Sequence, residues 1–231
     1  MISPEKIMEM YEYITSKVNI LNDTATIESI NKLFDDFSDR IIETPGSTNI
    51  DSKYCYPGGF IHEIYDILII SEQLCGVWGV EPNTHSLVKS ILLHNISKLG
   101  DENGPYLTQV KDKWKLDRGE RYEYNNNIMF MLPVDRTFYI IQKYNITLTQ
   151  HEYLNIRLIN GLLDESNDKY LRTTKNSAGI EHIILRQAKE IAFNTNKPTP
   201  TVHQLPQKKK VTTPPVSAKL NTTVLNLLDK I

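Results

Sequence analysis

The sequence has little that would tie it to an oxidising compartment, a membrane or a strongly charged partner. Only two cysteines, Cys55 and Cys75, occur in 231 residues. They form no C-x-x-C pair and no disulfide framework, so a reducing compartment is expected. No run approaches the roughly 18 apolar residues that a membrane span requires. Met1 to Lys6 lack the basic and apolar stretches of a secretory signal, and none is expected. The net charge of −2 is too small to set up a dominant field toward nucleic acid or lipid. No internal repeat is visible. Apolar residues at 40% and charged residues at 23% are ordinary for a globular protein, and the length allows one well-cored domain plus an appendage.

What is present is helical periodicity. Ile7, Met10, Tyr11, Ile14 and Val18 make one stripe, and Ile27, Ile30, Leu33, Phe34 and Phe37 a second. Ser3-Pro4-Glu5 has the cap and first-turn proline of a helix start. Thr44-Pro45-Gly46-Ser47 breaks the pattern. After Pro57-Gly58-Gly59, Phe60 to Leu74 is apolar enough for a buried helix. Ser86 to Leu99 predicts another, ended by Gly100. Residues 101–136 are polar and aromatic without a clear period, which predicts a long ordered excursion with a short hairpin. Helices are expected again over Arg136–Tyr144, Thr149–Leu163 and Gly179–Phe193, with Thr149 and Glu152 at capping-box spacing. The fold class is all-α with loop insertions.

Composition changes at Asn194. From there to Lys219 the chain has five prolines and five lysines and no acidic residue. Such a stretch buries too little apolar surface to offset its ordering entropy, so it is expected to be an extended linker. Apolar periodicity then returns: Leu220, Val224, Leu227, Leu228 and Ile231 share one helical face. A helix this short is marginal alone in water and needs a surface to dock on, in its own domain or on a partner. The expected organisation is a helical domain over 1–193, a linker over 194–219 and a docking peptide over 220–231.

Several segments occur in a recognisable order. They are Tyr56-Pro57-Gly58-Gly59-Phe60-Ile61-His62-Glu63, then Leu93-His94-Asn95-Ile96-Ser97-Lys98-Leu99-Gly100-Asp101-Glu102. Lys113-Trp114-Lys115, Pro133-Val134-Asp135-Arg136-Thr137 and Glu152-Tyr153-Leu154 follow. Ile156 to Glu165 and Ile184 to Lys189 complete the series. In this order the chain resembles the small HD-domain, phosphohydrolase-like proteins of large tailed bacteriophages, from about Pro45 to Phe193. The resemblance implies an HD-like helical bundle and, in working members, a divalent metal that activates a water against a phosphoester.

Position by position, the metal ligands implied by the resemblance are missing. The first histidine falls on Glu63, and His62, one residue early, is about 100° away around a helix. The His-Asp pair becomes His94-Asn95. An aspartate there would offer two anionic oxygens to a hard cation, whereas an asparagine offers one neutral oxygen and an NH2 donor. A later His-Asp pair becomes Ile159-Asn160. The final His-x-x-Asp becomes Arg186 to Lys189, with an ammonium where a cation should bind. No metal or other cofactor is therefore expected. Two readings stay open for the vacated space: Glu63 pairs there with Lys189, and Arg186 could pair with Asp101 or Glu63, or these side chains reach solvent through an open cleft. His94 is either a leftover ligand or a core histidine on a backbone carbonyl, the latter being favoured because its partners are gone. His62 and Asp66, four apart, could hold a different ion, but a solvated helix face is the plainer reading.

The resemblance thus points to a catalytically inactive module, a virion component or accessory factor in the host-cell cytoplasm. It would bind another phage or host protein through the C-terminal peptide. Two alternatives stay open. One is a phosphohydrolase with a reduced or relocated metal site using Glu63, His94 and Asp101 or Asp66. The other is a non-catalytic nucleotide or phosphate sensor with Lys98, Arg186 and Lys189 as phosphate contacts. Lys208-Lys209-Lys210 could touch nucleic-acid phosphates, although three lysines in a linker more often keep it solvated.

Overall fold

The computed structural model describes residues 2–161, 165–173 and 179–195. The chain divides into two units, Met1–Thr199 and Pro200–Ile231. The second unit lies outside the described residues, and with it Lys208 to Lys210 and the terminal stripe Leu220, Val224, Leu227, Leu228 and Ile231.

The first unit is mostly helical. In order come α1 (Pro4–Val18), α2 (Thr24–Asp36), α3 (Ser38–Glu43), α4 (Gly59–Trp78) and α5 (Thr84–Leu93), then a 3-10 turn over Ile96–Leu99. A two-stranded sheet of β1 (Leu107–Gln109) and β2 (Tyr122–Tyr124) brackets the short α6 (Lys113–Asp117). There follow α7 (Pro133–Lys143), α8 (Gln150–Leu158), α9 (Asp168–Thr173) and α10 (Gly179–Asn194).

The hub is α4. Every residue from Gly59 to Ser71 is buried, so this helix has no solvent face over its first three turns. It packs against α1, α3, α5 and α10, while α8 closes onto α5 and α10. The expected stripe of α1 supplies Ile7, Met10, Ile14 and Val18 to the core, and the Ser3 hydroxyl caps its first turn. From α2, Ile30, Leu33 and Phe34 are buried.

The Tyr-Pro-Gly-Gly segment has a steric reason. Gly58 turns the chain into α4 at φ 85°, in the left-handed region. A Cβ on Gly59 would lie 1.9 Å from the Tyr54 carbonyl oxygen, so only glycine allows loop and helix to approach this closely. The same junction is tied by Gly46 N–H to Tyr54 O at 2.9 Å and Phe60 N–H to Thr44 O at 3.1 Å.

Two expectations need correction. The helix expected over Ser86–Leu99 starts at Thr84 and is interrupted: α5 stops at Leu93, Asn95 takes φ −121° and ψ 15°, and a 3-10 turn follows. The interruption brings Asn95 and Lys98 onto α4. The helix expected to Leu163 ends at Leu158, and residues 162–164 lie outside the described set. The capping box of Thr149 and Glu152 forms with both reciprocal bonds. In the excursion the expected short hairpin is present: β1 and β2 pair antiparallel with Leu107 opposite Tyr124, and α6 lies between them in the chain. Tyr106, Tyr124 and Phe130 pack edge to face in a row, whereas Trp114 is exposed with the Arg118 guanidinium 4.4 Å over its ring.

Candidate functional site

A helix buried on all sides cannot keep Glu63 and Asp66 in water. Both are 0% exposed. An isolated carboxylate in such a place costs several kcal/mol or takes up a proton, so each must be met by donors or cations.

Around Glu63 four segments converge. From the interruption after α5, the Asn95 side-chain NH2 donates to Oε1 and the Lys98 ammonium to Oε2 at 2.6 Å. The same ammonium donates to the Gly46 carbonyl at 2.7 Å. From α10, Lys189 Nζ stands 3.9 Å from Oε1 and donates to Asn160 Oδ1 at 2.8 Å, beyond the end of α8. His94 Nε2 stands 3.7 Å from Oε1, too far for a hydrogen bond.

The expected Glu63–Lys189 pairing is therefore the longer of two, and the closer partner, Lys98, was not foreseen. The sequence carries the signal for it, a lysine four residues after His94 at a helix end. Its direction depends on the break at Asn95. Arg186 does not pair with Asp101, because that carboxylate meets Arg136 at 3.0 Å. Arg136 is almost fully buried and also donates to Met129 O.

The electrostatics follow from the geometry. Burial raises the pKa of Glu63. The Lys98 charge, with that of Lys189, outweighs burial and holds the carboxyl down at about 2. Burial pushes Lys189 down to about 8; Glu63 acts against this and Lys98 adds to it. Burial keeps the His94 pKa below the usual imidazole range, with Glu63 opposing and Lys189 reinforcing.

His94 Nδ1 lies 2.7 Å from the Ile91 carbonyl. A carbonyl can only accept, so Nδ1 carries the proton. Nε2 then presents a buried lone pair that has no hydrogen-bond partner among the described residues. This is the tautomer a metal-ligating histidine adopts. The surroundings do not fit a metal. The Asn95 amide and the Lys98 ammonium turn their hydrogens toward the carboxylate where a cation would need lone pairs, and Lys189 adds an ammonium 3.9 Å away. Among the described residues no group of three or more His, Cys, Asp or Glu side chains is placed to hold a metal ion.

Beside this cluster lies an open cavity of about 930 Å³. Lys98, Arg186 and Lys189 line it, with Ile159, Asn160 and Phe193. The three cations named as candidate phosphate contacts therefore share one cavity, with Glu190 as the acid on its wall.

Asp66, one turn further along α4, has a different shell. His62 and Asp66 do face one way, but into the core rather than solvent. Partners of Asp66 Oδ2 include Tyr54 OH at 2.8 Å, Lys53 Nζ at 2.7 Å and His62 Nε2 at 3.2 Å. His62 Nδ1 meets Tyr56 OH at 2.6 Å. Tyr54 OH is also 3.0 Å from the Ala192 carbonyl of α10, and Lys53 donates to Thr195 O at 3.3 Å. Burial, then Asp66, raises the pKa of both tyrosines, so both stay protonated donors. Sequence reasoning missed Lys53, Tyr54 and Tyr56. The available signal was Glu63 and Asp66 three residues apart inside an apolar run, which demands donors from a neighbouring segment.

Fold and site together define a mostly helical domain whose central helix carries two fully buried carboxylates, one of them set among cations at an open cavity. Comparison with protein-family models, with curated proteins and with solved structures gave no match. Among the described residues no helix is long and apolar enough to cross a membrane.

Proposed function

We propose that this chain is a metal-independent, non-hydrolytic binding module: an HD-like helical domain of the phage type in which an ion-pair cluster stands in place of the metal centre. The observation that carries this reading is the Glu63 carboxylate. It is fully buried and already bonded to Asn95 and Lys98, with Lys189 closing a third side. A divalent ion would have to displace two ammonium groups to reach it. The buried lone pair of His94 Nε2 is one neutral ligand beside it, and one imidazole is a poor site for a hard cation. The cluster holds α4, the segment after α5, the end of α8 and α10 together without a metal. In this reading a phage or host partner is engaged through Leu220, Val224, Leu227, Leu228 and Ile231, and the linker supplies the reach.

Metal analysis of the purified protein, paired with a phosphoester hydrolysis assay, tests the central claim. The expected result is less than stoichiometric Mn, Fe, Zn or Mg and no metal-stimulated turnover. A stoichiometric ion that is lost on replacing His94 overturns it. Deleting residues 220–231 is expected to abolish partner pull-down and leave the melting temperature nearly unchanged.

One observation favours a second reading, a non-catalytic phosphate or nucleotide sensor: Lys98, Arg186 and Lys189 border the same cavity. Nucleotides added without metal should then raise the melting temperature, since a ligand that binds only the folded state stabilises it.

A further inference from the structure

The Lys189 amine has features that its role as a counter-charge to Glu63 does not require. Its nearest partner is the neutral Asn160 oxygen at 2.8 Å, and the Glu63 carboxylate at 3.9 Å is beyond hydrogen-bond reach. Two further cations, Lys98 and Arg186, line the same cavity. Lys98 is committed to Glu63 and to the Gly46 carbonyl. Arg186, one helical turn before Lys189, makes no ion pair with another described residue. Burial and a neighbouring ammonium both favour the neutral form of an amine, and its pKa is held down at about 8. A desolvated lysine beside other cations is the arrangement that makes an amine nucleophilic at neutral pH.

We propose that Lys189 is a reactive amine that condenses with an aldehyde or ketone carrying an anionic group, the anion being held by Arg186 at the same cavity. The proposal rests on the metal-free reading above, because a metal at Glu63 would occupy the space beside Nζ. The neutral Nζ attacks the carbonyl carbon. A C–N bond forms, the C=O pair moves to oxygen, and a proton passes from nitrogen to that oxygen. The hydroxyl then leaves with the second nitrogen proton as water, giving an imine. No oxidant or reductant is consumed. The protonated imine is again a cation, so Glu63 keeps its counter-charge and the cluster is not broken. Ile159 and Phe193 offer an apolar wall to the carbon skeleton.

The test uses the full chain, first analysed for metal, with pyridoxal 5′-phosphate as a phosphate-bearing aldehyde. Adducts are fixed with borohydride and mapped by peptide mass spectrometry at pH 7.5. Lys189 is expected to react at least ~10-fold faster than an exposed lysine such as Lys113, the direction set by its larger neutral fraction. Lys189→Arg should remove that adduct. Arg186→Gln, omission of the phosphate by using pyridoxal, and excess inorganic phosphate should each slow it by about tenfold, about the effect of one charge-assisted contact. Labelling spread evenly over surface lysines overturns the proposal. So does labelling at Lys189 that ignores phosphate and Arg186→Gln. The last three comparisons leave Lys189 intact, so they hold even where Lys189→Arg fails to fold. A metal-free protein that is not labelled sinks this proposal alone, whereas a coordinated ion sinks the earlier reading whatever the labelling.

Discussion

Glu63 and Asp66 lie three residues apart on one helix, and both are wholly out of water. Their neutralisation differs. Glu63 is met by an amide and by two lysines on long stems, brought by the segment after α5 and by α10, and its cluster opens onto a cavity. Asp66 is met by a phenol, an imidazole and one lysine, drawn from the 53–56 loop and from α4 itself, and the same network reaches the last turn of α10. Rigid rings hold one geometry, whereas lysine stems can swing. The Asp66 network therefore acts as a clamp between loop, α4 and α10. Among the described residues the Glu63 carboxylate has no ring bonded to it, and its lysines border an open cavity.

That contrast can be broken by substitution, most forcefully at Glu63. Glu63→Ala leaves two cations without their carboxylate and is expected to cost about 3–5 kcal/mol in urea unfolding. Replacing Glu63 and Lys98 together by apolar residues of similar volume should recover much of this loss. A cost under about 1 kcal/mol for the single change would show that the lysines simply turn to solvent.

Acid sharpens the comparison next. The folded pKa of Glu63, about 2, lies below its ordinary 4.5, so its contribution is present above pH 4.5 and is lost as pH falls toward 2. Burial, then Arg186, holds His182 at about 4 against an ordinary 6.5, so it also costs stability as pH falls from 6.5 to 4. Denaturant unfolding at intervals between pH 7 and 2.5 should show both windows, and Glu63→Gln should flatten only the lower one.

Tyr54→Phe removes the hydroxyl shared by Asp66 and Ala192 O. It is expected to cost about 1.5–3 kcal/mol without changing labelling at Lys189. An altered labelling rate would merge the two regions into one. The smallest effect is expected at Thr149→Ala, about 1 kcal/mol from the lost cap, read by thermal melting.

Much of the helical framework was legible in the chain. The stripe of α1, the Ser3 cap and the Thr149–Glu152 box all follow from local spacing, because a cap and an amphipathic face are properties of a few adjacent residues. The short α9 had no such stripe and was not anticipated. The break after Leu93 was also hidden, since Ser86 to Leu99 is apolar enough to continue as one helix, and packing of the following 3-10 turn on α7 competes with that continuation.

By itself, then, the sequence determined that the domain is helical and that its apolar central helix carries acids, Glu63 and Asp66 among them, that need partners. Only the tertiary structure decided which donor meets which acid: Lys98 rather than Lys189 closest to Glu63, Arg136 rather than Arg186 on Asp101, and Tyr54 with Lys53 on Asp66. Periodicity is a local property of the backbone. Charge pairing between segments dozens of residues apart depends on where each helix stops and turns, and here that was set by the interruption at Asn95 and the close approach at Gly59.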